Sequence, residues 1–184
     1  MKHHLQSTIV VLAAAGLISA CGAPETEINT QNNQPEIGAS LNEKAEVAIA
    51  DLPDGVLSTA QAVRPNVNFT EAEREVRNGV IYFDVGGEDE NGDEIELDIM
   101  QDGDGWTVVE IQRDITLAQT PMSVRETLEE NAPGVVPARI IESDQTDGVI
   151  IYEFFTRADD GTETKYEVKF ENGEAEFLIE EWVH

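Results

Sequence analysis

Carboxylates are the reactive groups that this sequence supplies in abundance, since 38 of its 184 residues are Asp or Glu. Two carboxyl groups held about 5 to 10 Å apart can act as acid and base, or as acid and nucleophile, in glycoside hydrolysis. Acids are spread over most of the chain, so spacing singles out no particular pair. A carboxylate-based hydrolase is therefore the least favoured of the function classes considered, and no catalytic residue is predicted.

Two short acidic runs suggest cation binding instead. Residues 88–93 have the sequence EDENGD and residues 102–105 have the sequence DGDG. Calcium prefers clustered carboxylate oxygens, and an EF-hand loop needs an aspartate at its first position and a glycine at its sixth. Placing Gly92 or Gly105 at the sixth position puts Gly87 or Met100 at the first. The pattern fails, so tight turns explain both runs better, and calcium stays a possible ligand without a full motif.

Histidine and cysteine are almost missing from the body of the chain. Cys21 is the single cysteine, and the three histidines are His3, His4 and His184. Nucleophilic triads need a histidine beside the nucleophile, and structural zinc sites need several His or Cys ligands. The phosphate-binding pattern GxxxxGK[ST] and the dinucleotide pattern GxGxxG are also missing. We therefore expect no cofactor and no metal centre of the zinc type.

The N-terminus has the organisation of a secretory signal peptide. Lys2 lies in a short positive head, and residues 9–18 form an apolar run that is too short to span a bilayer. Residues 18–21 have the sequence ISAC, which resembles the lipobox of bacterial lipoproteins. The resemblance implies that residues 1–20 are removed and that Cys21 carries the lipid. The alternative is an ordinary signal peptide with an incidental cysteine.

Lipid on Cys21 would anchor an exported protein to a membrane, because each buried methylene contributes about 0.8 kcal/mol. Gly22 stands where lipoproteins retained in the inner membrane have aspartate, so the outer membrane is the expected location. Residues 21–44 are rich in Asn, Gln, Pro and Glu and contain little to bury. Such a composition predicts a flexible tether between the anchor and the folded part.

The net charge of −27 limits the choice of partners. Nucleic acid is excluded, because phosphate binding needs a basic surface. Anionic lipid headgroups should also repel the folded part, so lipid on the cysteine holds the protein to the membrane. A well solvated surface is the main interpretation of this acidity, and attraction of cations or of a basic partner is the alternative.

The folded part repeats itself once along the sequence, which predicts two repeats at residues 45–114 and 115–184. Residues 47–56 align with residues 115–124 at a spacing of 68, with matching proline and apolar positions. The later matches, at spacings of 68 or 69, are Pro65 with Pro133, Asn78-Gly79 with Asp147-Gly148, Asn91-Gly92 with Asp160-Gly161, Val109 with Phe177 and Ile111 with Ile179.

Each repeat should contain one helix. Pro53 and Pro121 suit the first helical turn, and Thr120 is a good N-cap. Apolar residues recur at helical spacing after each proline, and Arg64-Pro65 and Ala132-Pro133 end the two helices. The apolar side of each helix needs a sheet to cover.

Alternating apolar and polar residues predict the strands of that sheet. Asn-Gly and Asp-Gly pairs between the alternating segments indicate antiparallel hairpins. The predicted fold class is therefore α+β, with two tandem repeats of one helix packed on a roughly four-stranded antiparallel sheet. The strand positions predicted to face the helices are Ile81, Phe83, Val85, Ile95, Leu97, Ile99, Val109, Ile111, Ile150, Tyr152, Phe154, Tyr166, Val168, Phe170, Phe177 and Ile179.

A repeat with an LPxxV helix start, a Pro-Gly or Pro-Asn helix end, Asp-Gly hairpins and acidic strands resembles the PepSY-like or β-lactamase-inhibitor-like domains of secreted bacterial proteins. Residues 50–53, with the sequence ADLP, fit the start well, whereas residues 119–121 lack the leucine. The resemblance implies tandem units whose sheets lie side by side and present a broad concave face. It also implies a noncatalytic envelope module that binds or inhibits a protein.

Several apolar residues alternate in the sequence with the helix-facing positions, so they should lie on the other face of the sheet. Aromatic residues on an acidic surface often anchor protein interfaces, which makes Tyr82, Trp106 and Trp182 the candidate partner-binding residues. The alternative is that this patch packs one repeat on the other, since a repeat this small buries little surface alone. The residues concerned are Val80, Tyr82, Trp106, Val108, Val149, Ile151, Phe155, Leu178 and Trp182.

Overall fold

Nine antiparallel strands and two helices make up the part of the chain that the structure, a computed structural model, describes, residues 44–182. The predicted signal peptide, Cys21, residues 21–43 of the predicted tether and His184 lie outside these residues. The elements are β1 (Lys44–Val47), a 3-10 turn (Ile49–Asp51), α1 (Val56–Val63), β2 (Asn68–Arg77), β3 (Val80–Glu88), β4 (Glu94–Asp102), β5 (Gly105–Asp114), α2 (Met122–Asn131), β6 (Arg139–Asp144), β7 (Val149–Arg157), β8 (Glu163–Glu171) and β9 (Glu174–Leu178).

The strands form a single sheet in the order β1 to β9, each paired with its neighbours in sequence. An α+β fold is confirmed in this form. The finer prediction, two tandem repeats with one helix on a roughly four-stranded sheet each, is not confirmed, because β5 pairs with β6 and makes the sheet continuous. In that pairing Gln112 lies opposite Ser143 and Asp114 lies opposite Ile141.

Both helices pack on the same face of the sheet, which we call the helix face. Val56 and Ala60 of α1 are fully buried in the first core cluster, to which β2, β3, β4 and β5 each contribute two buried residues. Val124 and Leu128 of α2 are buried in a second cluster with residues of β7 and β8. Buried residues at the predicted helix-facing positions are Phe83, Val85, Leu97, Ile99, Ile111, Tyr152, Phe154 and Val168.

The helix ends agree with the prediction better than the helix starts. Arg64 and Ala132 are the C-caps, as the following prolines indicated. However, α1 begins at Val56 after Gly55, which has a positive φ of 96° that suits glycine, and not at Pro53. Thr120 does not cap α2, because Pro121 is the N-cap and the Thr120 hydroxyl donates to the Thr116 carbonyl.

A β-bulge in the pairing of β4 with β5 changes which side chains reach the helix face. Asp98 lies opposite Glu110, whereas Ile99 lies opposite Val108, so Val109 is an extra residue in β5. The predicted match of Val109 with Phe177 is therefore wrong, and Val108 takes the buried position. Trp106 moves to the helix face with it.

Tight turns occupy the predicted Asn-Gly positions. Asn78 and Gly79 have φ values of 52° and 84°, as expected for a two-residue hairpin turn with both residues left-handed. The acidic run at residues 88–93 also forms a turn, in which Asp89 Oδ1 accepts the N–H groups of Asn91 and Asp93 at 2.7 and 3.0 Å. Among the described residues, neither helix has the length and apolar character needed to cross a membrane.

Candidate functional site

The side of the sheet opposite the helices carries the candidate site, and we call it the open face. Within residues 44–182 neither helix covers it. It contains a cavity of about 640 Å³ whose lining has seven carboxylate side chains and three cationic ones. The charged or polar side chains that are buried on this face are Asp84, Asp98, Glu110, Ser143, Gln145 and Glu167.

Three carboxylates from β3 and β4 converge in the first half of the open face. Oxygen atoms of Asp84, Glu96 and Asp98, which we call the carboxylate cluster, all lie within 4.8 Å of one another. Two cations from β1 and β2 partly neutralise them. Lys44 Nζ lies 3.0 Å from Asp84 Oδ2, and Arg77 Nη1 lies 2.8 Å from Asp98 Oδ2.

The crowding of these acids changes their protonation. Burial, followed by the negative charge of Asp84, raises the pKa of Asp98 to about 9. Although Glu96 reaches solvent, the surrounding protein atoms and the same Asp84 charge raise its pKa to about 7. The cluster therefore retains a proton at neutral pH, which reduces the repulsion between its members.

Two groups of the cluster lack a full set of partners among residues 44–182. Asp84 is only 6% exposed, and its buried Oδ1 accepts no hydrogen bond there; Arg77 Nη2 is 3.7 Å away. Glu96 makes no direct hydrogen bond or salt bridge within the same residues, although the positive charge of Lys44 attracts its carboxylate from a longer distance. The cluster is thus a polar site with unused acceptor capacity.

A lysine neutralises the acids in the second half of the open face. Lys165 Nζ lies 3.2 Å from Glu153 and 2.7 Å from Glu167, and it also pairs with Glu181. Burial alone would lower the pKa of Lys165, but hydrogen bonds to Glu167 and Glu181 outweigh burial and raise it. This half therefore holds a permanently charged ammonium group among its carboxylates.

Uncharged side chains donate hydrogen bonds to Glu110, the buried acid of β5 at the junction of the two halves. Ser143 donates its hydroxyl to Glu110 Oε1, and Gln145 Nε2 donates to the same oxygen at 3.2 Å. Gln112 Nε2 adds a third donor at 3.0 Å. These bonds fix the β5 and β6 side chains at the junction.

Two of the three predicted partner-binding residues lie on the open face. Tyr82 lies beneath the Arg77 guanidinium, whose carbon is 4.6 Å from the ring centre. Trp182 donates its indole N–H to Gln145 Oε1 at 3.0 Å. Both line the open-face cavity together with Val80 and Ile151. Within residues 44–182 one half does not cover this patch of the other, because the two halves join edge to edge through β5 and β6.

Trp106 is separated from Tyr82 and Trp182 because the β5 bulge turns it to the helix face. Its ring packs edge-on against Phe83, with 5.3 Å between ring centres, and its indole N–H donates to the Asp54 carbonyl at 3.2 Å. The prediction that the three aromatic residues share a face is thus wrong for Trp106. Its contacts attach the start of α1 to the sheet.

We expect Trp106→Leu to lower the free energy of unfolding by about 1.5 kcal/mol, because it removes the edge-to-face contact and the indole hydrogen bond but keeps apolar volume. Urea unfolding followed by circular dichroism measures the change. Unchanged stability would place Trp106 outside the core packing of the first half.

Sequence reasoning missed Glu96 and Lys165 as site residues. Their spacing of 69 is one of the two repeat spacings, so the sequence held a signal in the form of a reversed charge at matching positions. Comparison with protein-family models, with curated proteins and with solved structures gave no match. The candidate function therefore rests on the residues and geometry of this chain.

Proposed function

We propose that the protein is a noncatalytic, lipid-anchored envelope module that binds or inhibits a partner protein through the open face. One observation carries this proposal: within residues 44–182 the open face spans the continuous sheet, is free of helices, and combines aromatic rims with buried charged groups. Protein interfaces are enriched in aromatic residues around a desolvated centre. Attachment through lipid on Cys21 would leave this face available.

Location in the cell envelope follows from the leader sequence. A short positive head, a short apolar run and the lipobox-like ISAC at residues 18–21 support export and acylation of Cys21. The absence of aspartate after Cys21 supports the outer membrane. The flexible tether would hold the folded part at a distance from the membrane, and its acidic surface would be repelled by anionic headgroups.

Tandem duplication is part of the proposal, and the strand registers support it. Equivalent residues pair with equivalent residues in the two halves once the spacings of 68 and 69 are applied. The pair Val47–Ala72 corresponds to Ile115–Ile140, the pair Phe83–Ile99 corresponds to Tyr152–Val168, and the pair Ile99–Val108 corresponds to Val168–Phe177. Two halves with sheets side by side are what the PepSY-like or β-lactamase-inhibitor-like resemblance implies.

Affinity capture tests the binding role. The purified protein is incubated with an envelope extract of the cell that makes it, beside the double variant Tyr82→Ala, Trp182→Ala. We expect the parent chain to retain one protein and the double variant to retain about tenfold less of it, because buried aromatic residues dominate interface energies. Met122→Ala is the control, because Met122 is an exposed apolar residue on α2.

Equal retention by the parent chain and the double variant would remove the open face from the proposal. Loss of retention in Met122→Ala alone would instead assign binding to the helix face. If the parent chain retains no protein above background, the binding role itself fails.

A further inference from the structure

The two halves of the open face differ by one reversed charge at matching positions. In each half two acids lie opposite each other on neighbouring strands, and a third charged residue lies two positions before the second acid. The residues are Asp84, Asp98 and Glu96 in the first half, and Glu153, Glu167 and Lys165 in the second. Glu96 lies opposite Gly86 and Lys165 lies opposite Phe155, so the pairing registers coincide.

The second half shows how this arrangement is neutralised when a lysine is present. The Lys165 ammonium group lies between the two acids, at 3.2 Å from Glu153 and 2.7 Å from Glu167. In the first half Glu96 replaces the lysine, and the three carboxylates come within 4.8 Å of one another. An ammonium group has three donors, which suits a site with three carboxylates.

Lys44 and Arg77 do not fully replace the missing lysine. They bind Asp84 Oδ2 and Asp98 Oδ2 from the β1 and β2 side. Asp84 Oδ1 is still buried without a hydrogen bond, and Glu96 is without an ion pair, within residues 44–182. The cavity lining keeps an excess of carboxylates over cations, seven against three. The proton that the cluster retains at neutral pH offsets part of this excess, but Asp84 Oδ1 still lacks a hydrogen-bond donor within residues 44–182.

We infer that the carboxylate cluster of Asp84, Glu96 and Asp98 binds a lysine side chain that the partner protein presents to the open face. This inference rests on the proposed binding role and names the chemistry of the contact. The incoming ammonium group takes the place that Lys165 holds in the second half. Because the site is partly desolvated, such charge-assisted hydrogen bonds are stronger than exposed ion pairs.

Titration calorimetry of the full chain in a nonionic detergent at low salt, with pentalysine as the probe, tests the site. Glu96→Lys reproduces the arrangement of the second half and should weaken pentalysine binding by about tenfold or more, equivalent to ~1.4 kcal/mol. Glu130→Lys makes the same change in net charge at an exposed position of α2. It should weaken binding by about twofold at most, since that position is exposed and its charge is screened.

Equal weakening by Glu96→Lys and Glu130→Lys would show that pentalysine responds only to net charge and would overturn the inference. Glu96→Gln supplies a second variant with a smaller change, and it should weaken binding in the same direction as Glu96→Lys. Calcium is titrated in the same way. If calcium binding releases heat that Glu96→Lys abolishes, and pentalysine shows no site-specific binding, the inference is overturned in favour of a metal site.

The capture experiment separates this inference from the binding role. If Glu96→Lys retains the captured protein as well as the parent chain does, the lysine site is wrong and the binding role stands. A different outcome is that the parent chain captures no protein while Glu96→Lys still selectively weakens pentalysine binding. In that case the cation site stands and the envelope binding role fails. If Glu96→Lys loses both the captured protein and pentalysine while Glu130→Lys keeps both, the results support the binding role and the lysine site together.

Discussion

Lys165→Ala is expected to lower the free energy of unfolding by about 3 kcal/mol at neutral pH. Removing one partner of a buried ion pair leaves an uncompensated charge and typically costs about 3 to 5 kcal/mol. Here Glu167 is 5% exposed and Glu153 is largely buried, whereas Lys165 itself keeps some contact with solvent. The lower end of the range therefore applies.

Urea unfolding at pH 7 and at pH 5 measures this loss. Burial raises the pKa of Glu153, so its carboxyl takes up a proton more readily as the pH falls. The deficit of Lys165→Ala should shrink at pH 5, because protonation removes part of the uncompensated charge. A deficit that is the same at both pH values would point to lost packing of the lysine stem instead.

Arg157→Ala is the matched control for the lysine variant. Arg157 pairs with Glu163 at 3.6 Å on the next strand, but both side chains are more than half exposed. Exposed ion pairs contribute about 0 to 1 kcal/mol. If Arg157→Ala is as damaging as Lys165→Ala, burial is not the reason for the importance of Lys165.

Sequence patterns predicted the parts of the fold that depend on local chemistry. Asn78-Gly79 and Asn172-Gly173 supply left-handed turn residues, and both pairs adopt positive φ. Alternation predicted the buried sides of β3 and β7, where Phe83 and Phe154 are core residues. These signals are local, so they survive in a single sequence.

Strand β2 was not predicted, because its pattern is obscured by charge and by a bulge. Residues 71–77 have the sequence EAEREVR, and Ala72 is the only buried residue among them. The pairing with β3 shifts between Phe69 and Glu71. Gly87 allows this, since a Cβ there would lie 2.3 Å from the Asn68 carbonyl oxygen. Such close approaches are tertiary and leave no pattern beyond a glycine.

The site depends on strand register, which the sequence does not display directly. The β5 bulge reverses the side on which Trp106 lies, and a one-residue shift moves every following side chain to the other face. The contrast between Glu96 and Lys165 also becomes meaningful only when Asp84 lies opposite Asp98 and Glu153 lies opposite Glu167. The repeat spacing of 69 relates Glu96 to Lys165, but it does not show which acids lie beside them.

The stability of the protein should fall as the pH rises from 5 to 9, by about 2 kcal/mol. Asp98 and Glu96 have pKa values of about 9 and 7 in the folded chain, against ordinary values of 3.8 and 4.5. Between these values the folded chain keeps protons that the unfolded chain has lost, so each increase in pH favours unfolding. The expected size is smaller than the full shifts imply, because Glu96 reaches solvent.

Other shifted acids do not reverse this slope. Hydrogen bonds from the backbone N–H groups of Asp93 and Thr162 lower the pKa values of Asp89 and Asp160, so these two groups titrate below pH 5. Burial raises the pKa of Glu94, and that change has the same sign as the change at Glu96. The carboxylate cluster should therefore dominate the pH dependence between 5 and 9.

Glu96→Gln isolates the contribution of the cluster to this pH dependence. The variant should be more stable than the parent chain by about 1 kcal/mol at pH 8 and equally stable at pH 5, because glutamine removes a charge that the parent chain carries only at the higher pH. Urea midpoints at the two pH values measure both differences, with Glu130→Gln as the exposed control. A parent chain that becomes more stable towards pH 9 would contradict the assignment, because it would mean that Lys44 and Arg77 already neutralise all three carboxylates. In that case the carboxylate cluster would have no uncompensated negative charge with which to bind a cation.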